Sequence, residues 1–449
     1  MKKAARTIEI GVGALALLLF GLWLRQQETV LSLGTVMALA SLCLFALTLM
    51  AALTRFVGAV VRTGPAILSA PDTREERLSA WDLLLLFGVG VSLFQYIAVC
   101  LIADPGSDLL HSIRSLYYRS DVAHYMGIAR DWYVREGDQR LRLVFLPLYP
   151  LVARVLTITG DYFWGTFAAA QLFSLVCPLA AYELFRLDLD RASAMACARI
   201  LFLLPGAAFL RVPMSEGMFL FLTLMAVYFI RRERFILAGL FTALAGFTRS
   251  LGILLLGLLF VEMLLAFQAT YTTDRHKAFR LLPRLLGGLL LGCCGTLAYL
   301  AINWAVSGSP FTFLTYQREN WNQQLGLFFN TAAYQSGYAL VYLGNGDLDS
   351  FLSLSVPNLL CSFVTLALLF VDRKQMRISY LLWALAYFAV SIGATWLLSG
   401  PRYLAMVFPL AMTLRRLCRE PAMDRIMEIT LLLSQTAYLL MLALDMSVY

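Results

Sequence analysis

Charge is what this chain has least of. Asp, Glu, Lys and Arg make up 14% of its 449 residues and apolar residues 60%, with a mean hydropathy of +0.74. That balance excludes a soluble domain on a single anchor and implies a polytopic membrane protein. Histidine is rarer still, at three residues, and neither CxxC nor HExxH spacing occurs, so no metal centre is written into the sequence. Seven of the eight cysteines fall in apolar stretches and Cys418 in a short basic one, which leaves no disulfide framework. The net charge of +8 comes with no nucleic-acid motif. Internal repeats, low-complexity tracts and Asn-x-Ser/Thr acceptors are all absent. The last absence agrees with a prokaryotic plasma membrane.

What is there is long apolar sequence. Stretches of roughly 17–25 residues, enough to cross a ~30 Å hydrocarbon core, lie at about 8–24, 29–53, 82–103, 166–186, 193–212, 285–305, 352–371, 379–398 and 426–446. Shorter or interrupted ones at 216–231, 235–249, 251–268 and 402–416 bring the expected all-α bundle to about thirteen transmembrane helices. The first stretch reads as a span rather than a cleaved leader. Its apolar part is long, no clean small-x-small site follows, and Gln26-Gln27-Glu28 leads straight into another span.

With a cytoplasmic N-terminus and alternate threading, the segments 1–7, 54–81, 187–199, 231–234, 269–284, 372–378 and 415–425 face the cytoplasm. With Arg186 they hold 24 of the 36 Lys and Arg residues, including all four Lys, as the positive-inside rule requires. Two long external segments remain, 104–165 and 306–351. Residues 1–80 read as an accessory pair of spans without chemistry, and 81–449 as the catalytic transmembrane domain.

In the first external segment, Val122, Tyr125, Met126, Ala129, Trp132 and Tyr133 form one helical stripe. An amphipathic helix over 121–136 is expected, lying at the interface with Asp121, His124, Asp131 and Arg135 on its other face. The stretch 145–156 contains Pro147, Pro150 and Arg154, which favours a re-entrant or interfacial helix over a span. The second external segment is aromatic and polar, with Tyr316, Arg318, Trp321 and Gln323, and ends in a turn at 344–347.

Asp121, Glu216, Arg249 and Arg402 all fall at the external end of their segments. Each has a plainer reading. Asp121 or Glu216 can cap the helix it begins, His124 suits a satisfied interfacial histidine, an arginine can snorkel to headgroups, and Arg211 can pair with Glu216. Together, two acids and two arginines on one face suit transfer of a sugar from a lipid phosphate to a hydroxyl. A carboxylate takes the acceptor's proton, and arginines grip the phosphate in two-pronged fashion and stabilise it as it leaves. No metal is required; a divalent cation between Asp121 and Glu216 is the less favoured arrangement. The rival reading is a transporter or flippase of lipid-linked sugar, whose charges would sit near the midplane on repeat-related broken helices.

The motifs also come in a recognisable order. Asp121-x-x-His124-Tyr125-x-x-Ile128-Ala129 precedes Phe145-Leu146-Pro147-Leu148-Tyr149-Pro150 and Pro213-Met214-Ser215-Glu216-Gly217-Met218-Phe219. Ala238-Gly239-Leu240 then runs to Thr248-Arg249-Ser250, followed by Gly308-Ser309-Pro310-Phe311 with Trp321, and by Pro401-Arg402-Tyr403. Over roughly 115–405 this order resembles the PIG-V-type mannosyltransferases of the GT-C superfamily.

The resemblance implies a GT-C-like membrane enzyme that needs no cofactor. Its donor would be a polyprenyl- or dolichyl-phosphate sugar, and its acceptor lipid- or glycan-linked at the external face. Asp121 matches the family's catalytic aspartate, Ser215-Glu216 its Ser-Glu pair, and Arg249 and Arg402 its arginines. His124, Tyr125 and Tyr403 complete the expected substrate-binding set with Glu216, Arg249 and Arg402. The chain departs from the family at Ser120, where Trp is usual, and at Trp132-Tyr133, where Gly-Tyr is common.

Overall fold

A computed structural model describes residues 2–27, 32–61, 72–418 and 420–448. Glu28, the start of the expected span 29–53, and the middle of the basic segment 54–81 lie outside the described residues. The chain opens with α1 (Lys2–Leu24), α2 (Leu33–Val61), α3 (Arg74–Ala103), α4 (Leu109–Tyr117), α5 (Val122–Asp131), α6 (Leu148–Val155) and α7 (Tyr162–Phe185). It continues through α8 (Arg191–Leu203), α9 (Glu216–Arg231), α10 (Phe235–Thr248), α11 (Leu255–Thr273), α12 (Arg275–Ser307), α13 (Thr312–Trp321) and α14 (Phe328–Gly344). It closes with α15 (Leu348–Ser350), α16 (Val356–Val371), α17 (Ile378–Ile392), α18 (Gly400–Leu404), α19 (Pro409–Leu417) and α20 (Pro421–Ala443).

The protein is all-α and polytopic. Among the described residues, eight helices are long and apolar enough to cross a membrane: α1, α2, α3, α7, α11 with the turn before it, α12, the α15–α16 stretch and α20. The other five expected spans are shorter or broken. α9 and α10 have 16 and 14 residues. Segment 193–212 stops being α-helical at Leu203, because Leu204 precedes Pro205 and takes extended backbone, and a 3-10 turn follows over Pro205–Leu210. Segment 379–398 ends its helix at Ile392, and 402–416 is split before Pro409.

Of the two segments expected to lie outside, the first departs from its expected helix bounds. The amphipathic helix forms as α5 but ends at Asp131, because Trp132 takes φ +67°. Trp132 and Tyr133 therefore leave the stripe. Segment 306–351 is largely helical, and α14 buries Phe328, Phe329, Ala332 and Gln335. Phe328 packs on Phe45 of α2 with ring centroids 4.5 Å apart, which ties the N-terminal pair to the bundle.

Two packing features place the site. Along α12, Gly288, Gly292 and Gly295 face α10, and a β-carbon at Gly295 would run into the carbonyl of Ala243. This seam of small residues lets the helices touch backbone to backbone and sets where α10 delivers Arg249. The irregular stretch 393–399 is partly buried, and side chains of neighbouring helices satisfy part of its backbone. Thr331 donates to the carbonyl of Ile392 at 2.7 Å, Gln335 to that of Leu397 at 2.7 Å, and Asn358 Oδ1 accepts from the Gly400 amide at 2.7 Å. That scaffold holds α18, and with it Arg402. A separate set of ion pairs, Arg231 with Asp188, Arg377 with Glu262 and Arg416 with Asp372, closes the basic segments.

Candidate functional site

The four charges named from the sequence meet in one network. Arg402 donates from Nη2 to Asp121 Oδ2 at 2.9 Å and from Nε to Glu216 Oε1. Arg249 donates from Nη1 to that same Oε1 and to Ser215 Oγ at 3.2 Å. Ser215 Oγ lies 2.9 Å from the Tyr125 hydroxyl, joining α5 to the start of α9. Aromatic faces support both guanidiniums, Tyr403 5.6 Å from Arg249 and Phe209 5.1 Å from Arg402.

Local structure explains why these side chains are free to do this. Ser120 takes φ +49°, a left-handed turn that starts α5 without using its first carboxylate. Asp121 stands at the N-cap position but makes no side-chain cap bond, and its oxygen goes to Arg402 instead. Glu216 likewise does not cap: it is the first residue of α9 and turns inward to the arginines. Arg211 does not pair with Glu216. Its Nε lies 3.2 Å from Ser92 Oγ and its guanidinium stacks 4.2 Å from the Phe202 ring, fully buried.

Exposure grades through the network and separates its members. The Glu216 side chain is 1% exposed, Arg402 5%, Arg249 14% and Asp121 26%. A cavity of about 810 Å³ is lined by Asp121, His124, Tyr125, Arg249, Arg402 and Tyr403. Glu216 lies behind that lining and reaches the cavity only through the two arginines. Among the described residues, no group of three or more His, Cys, Asp and Glu side chains comes together.

One wall of the cavity lies outside the expected site residues. His124 stacks on Phe145 at 4.6 Å, and Trp321 meets both rings edge-on at 6.2 and 6.1 Å. Trp321, Gln317, Gln323 and Gln324 line the cavity from α13 and the strand-like segment after it. Phe145 and Trp321 stand in the ordered motifs and could have been picked out there. Gln317 and Gln324 carry no sequence signal. Burial pushes the His124 imidazole below its ordinary value, against the pull of the Asp121 carboxylate. Burial, and next the Glu216 carboxylate, hold the Tyr125 phenol well above its ordinary value, so it stays protonated.

This chain is distantly similar to a mannosyltransferase. The match is to GPI alpha-1,6-mannosyltransferase 2 of Mus musculus, 31% identical over 153 residues, covering 31% of this chain and 30% of the relative. The shared part is thus under a third of either protein. It points to the same protein type as the ordered motifs. No family model and no solved structure matches the chain.

Proposed function

We propose that the protein is a membrane glycosyltransferase, a mannosyltransferase by its similarity, that moves a hexose from a polyprenyl-phosphate donor to a hydroxyl acceptor. The supporting observation is that one buried arginine, Arg402, binds both a partly exposed carboxylate, Asp121, and a buried one, Glu216, at a cavity wall. A structural ion pair needs no such partition between an accessible acid and a hidden one.

In this reading the phosphodiester of the donor binds Arg402 and Arg249 and takes the place of Asp121 on Arg402 Nη2. The freed Asp121 carboxylate accepts the acceptor's O–H proton. The acceptor oxygen bonds to the anomeric carbon from the face opposite the phosphate, and the C1–O bond breaks with its electron pair going to the phosphate. The lipid phosphate gains a negative charge as it leaves, so the two arginines stabilise the transition state more than the bound donor. Glu216 positions the arginines and does not touch substrate. Tyr125 and Ser215 fix Arg249 from below. The site faces the side opposite the basic segments, the exterior of a prokaryotic plasma membrane under the positive-inside rule.

The test is turnover of a labelled polyprenyl-phosphate mannose by the full chain in nanodiscs, supplied with lipid-alcohol and glycoside acceptors. Free polyprenyl phosphate and a new glycoside are expected, both lost in Asp121→Asn. A carrier would return the donor intact, and that result overturns the reading.

A further inference from the structure

The aromatic and amide wall has no part in the phosphate chemistry above. Trp321, Gln317 and Gln324 line the cavity and are only partly covered or exposed. Neither glutamine side-chain amide is hydrogen-bonded among the described residues, although the Gln324 backbone amide is held by Thr395 Oγ1 at 2.9 Å. Each amide offers a carbonyl acceptor and two N–H donors, a set that matches sugar hydroxyls, which both give and take hydrogen bonds. The indole of Trp321 offers the electron-rich face on which the C–H face of a pyranose packs. Asp121 is the one carboxylate among the lining residues.

A chain of contacts joins the wall to Asp121. Arg402 touches Asp121, and His124 follows Asp121 by one turn on α5. His124 in turn meets Trp321 of α13. Asp121 is therefore tied to the arginines through Arg402 and to the aromatic wall through His124. An acceptor seated on that wall brings its hydroxyls close to Asp121, the one carboxylate in the lining.

The wall is held from outside the charged network. Tyr299 of α12 donates to the carbonyl of Leu143 at 2.8 Å, next to the 144–146 lining, and packs on Phe313 of α13 at 5.2 Å. Asn303 Oδ1 accepts from the Phe313 amide at 3.3 Å.

We propose that α13 and the segment following it form the acceptor subsite, which binds a pyranose ring, with Trp321 as the stacking platform and Gln317 and Gln324 reading its hydroxyls. This rests on the glycosyltransferase reading and deepens it by naming the residues that hold the acceptor's ring.

The experiment uses the full chain in nanodiscs and two probes, octyl α-D-mannopyranoside and polyprenyl phosphate, with octanol as the control for the alkyl chain. Saturation-transfer NMR reports which probe protons touch the protein. In the wild type, saturation is expected on the ring protons of the mannoside and not on octanol alone. Trp321→Ala should weaken mannoside binding about tenfold or more, and Gln324→Ala, at an exposed side chain with no packing role, severalfold. Polyprenyl phosphate binding should survive both and fall in Arg402→Ala. If polyprenyl phosphate binds through Arg402 while ring saturation is missing, or is unmoved by both wall variants, the subsite is wrong and the glycosyltransferase reading stands. If polyprenyl phosphate does not bind the wild type at all, the reading beneath it fails first.

Discussion

Glu216 holds Arg249 and Arg402 through a single oxygen, Oε1. Its other oxygen has no protein partner among the described residues. Two guanidiniums on one carboxylate would repel each other in a low-dielectric interior, so the pair keeps its geometry only while that carboxylate is charged. Glu216→Gln should therefore cost about 3–5 kcal/mol of stability, the range for breaking a buried ion pair. It should also weaken polyprenyl-phosphate binding. Thermal unfolding and donor titration in nanodiscs measure the two effects, and a variant that keeps both midpoint and affinity would remove Glu216 from its positioning role.

Asp121→Asn should show the opposite split. The carboxylate is about a quarter exposed and Arg402 retains Glu216 when it is neutralised, so the melting temperature should barely move. A positioned base contributes on the order of 10²–10⁴-fold to rate, and turnover should fall by that amount with donor affinity equal or higher, since Asp121 no longer competes for Arg402. Near-normal turnover in the folded variant would transfer the base to another residue.

That these four charges come together could be read from sequence, and the physical reason is cost. A charge beside the hydrocarbon layer is expensive enough that Asp121, Glu216, Arg249 and Arg402 stand out against an apolar background. The amphipathic stripe of α5 was legible too, up to the point where Trp132 adopts a left-handed conformation that no periodicity announces. Three things were hidden. The helical character of 306–351 was masked by its polar composition, since Thr331 and Gln335 of α14 serve the backbone of 392–397 and not solvent. That Glu216 stands behind the cavity lining was hidden, because position along the chain cannot tell a wall from the layer behind it. The amide wall was invisible because glutamines in a polar segment look alike until the fold sets some of them along the cavity.

Gly206 makes a prediction away from the charges. It lies in the 3-10 turn before α9, where a β-carbon would overlap the carbonyl of Pro401 and come within 2.9 Å of the Arg402 amide. Both obstacles are backbone, so no side-chain rotation relieves them and α18 itself must move. Gly206→Ala should lower stability by about 1–3 kcal/mol and cut donor affinity by shifting Arg402. Gly257→Ala is the control, because nothing lies within 4 Å of its β-carbon position and alanine suits a helix interior better. Equal melting temperatures and donor affinities for the two variants would show that the α18 contact does not position Arg402.

His124 sets the expected response to acid. Its imidazole lies against Phe145, and that burial lowers its pKa more than the nearby Asp121 raises it. A histidine whose folded value is below its unfolded one takes up its proton late as pH falls. Between the two values the unfolded chain binds more protons than the native one. His124 therefore contributes a loss of stability that begins as pH drops through the ordinary histidine range and is complete below the folded value. With three histidines in the chain, the imidazole resonance missing from His124→Gln can be assigned and followed by NMR in nanodiscs. Its midpoint is expected below the ordinary value of about 6.5, and the acid-side fall in melting temperature should be shallower in His124→Gln than in wild type. A midpoint at or above that value would mean that Asp121 outweighs burial, and that the ring is charged when it meets Trp321.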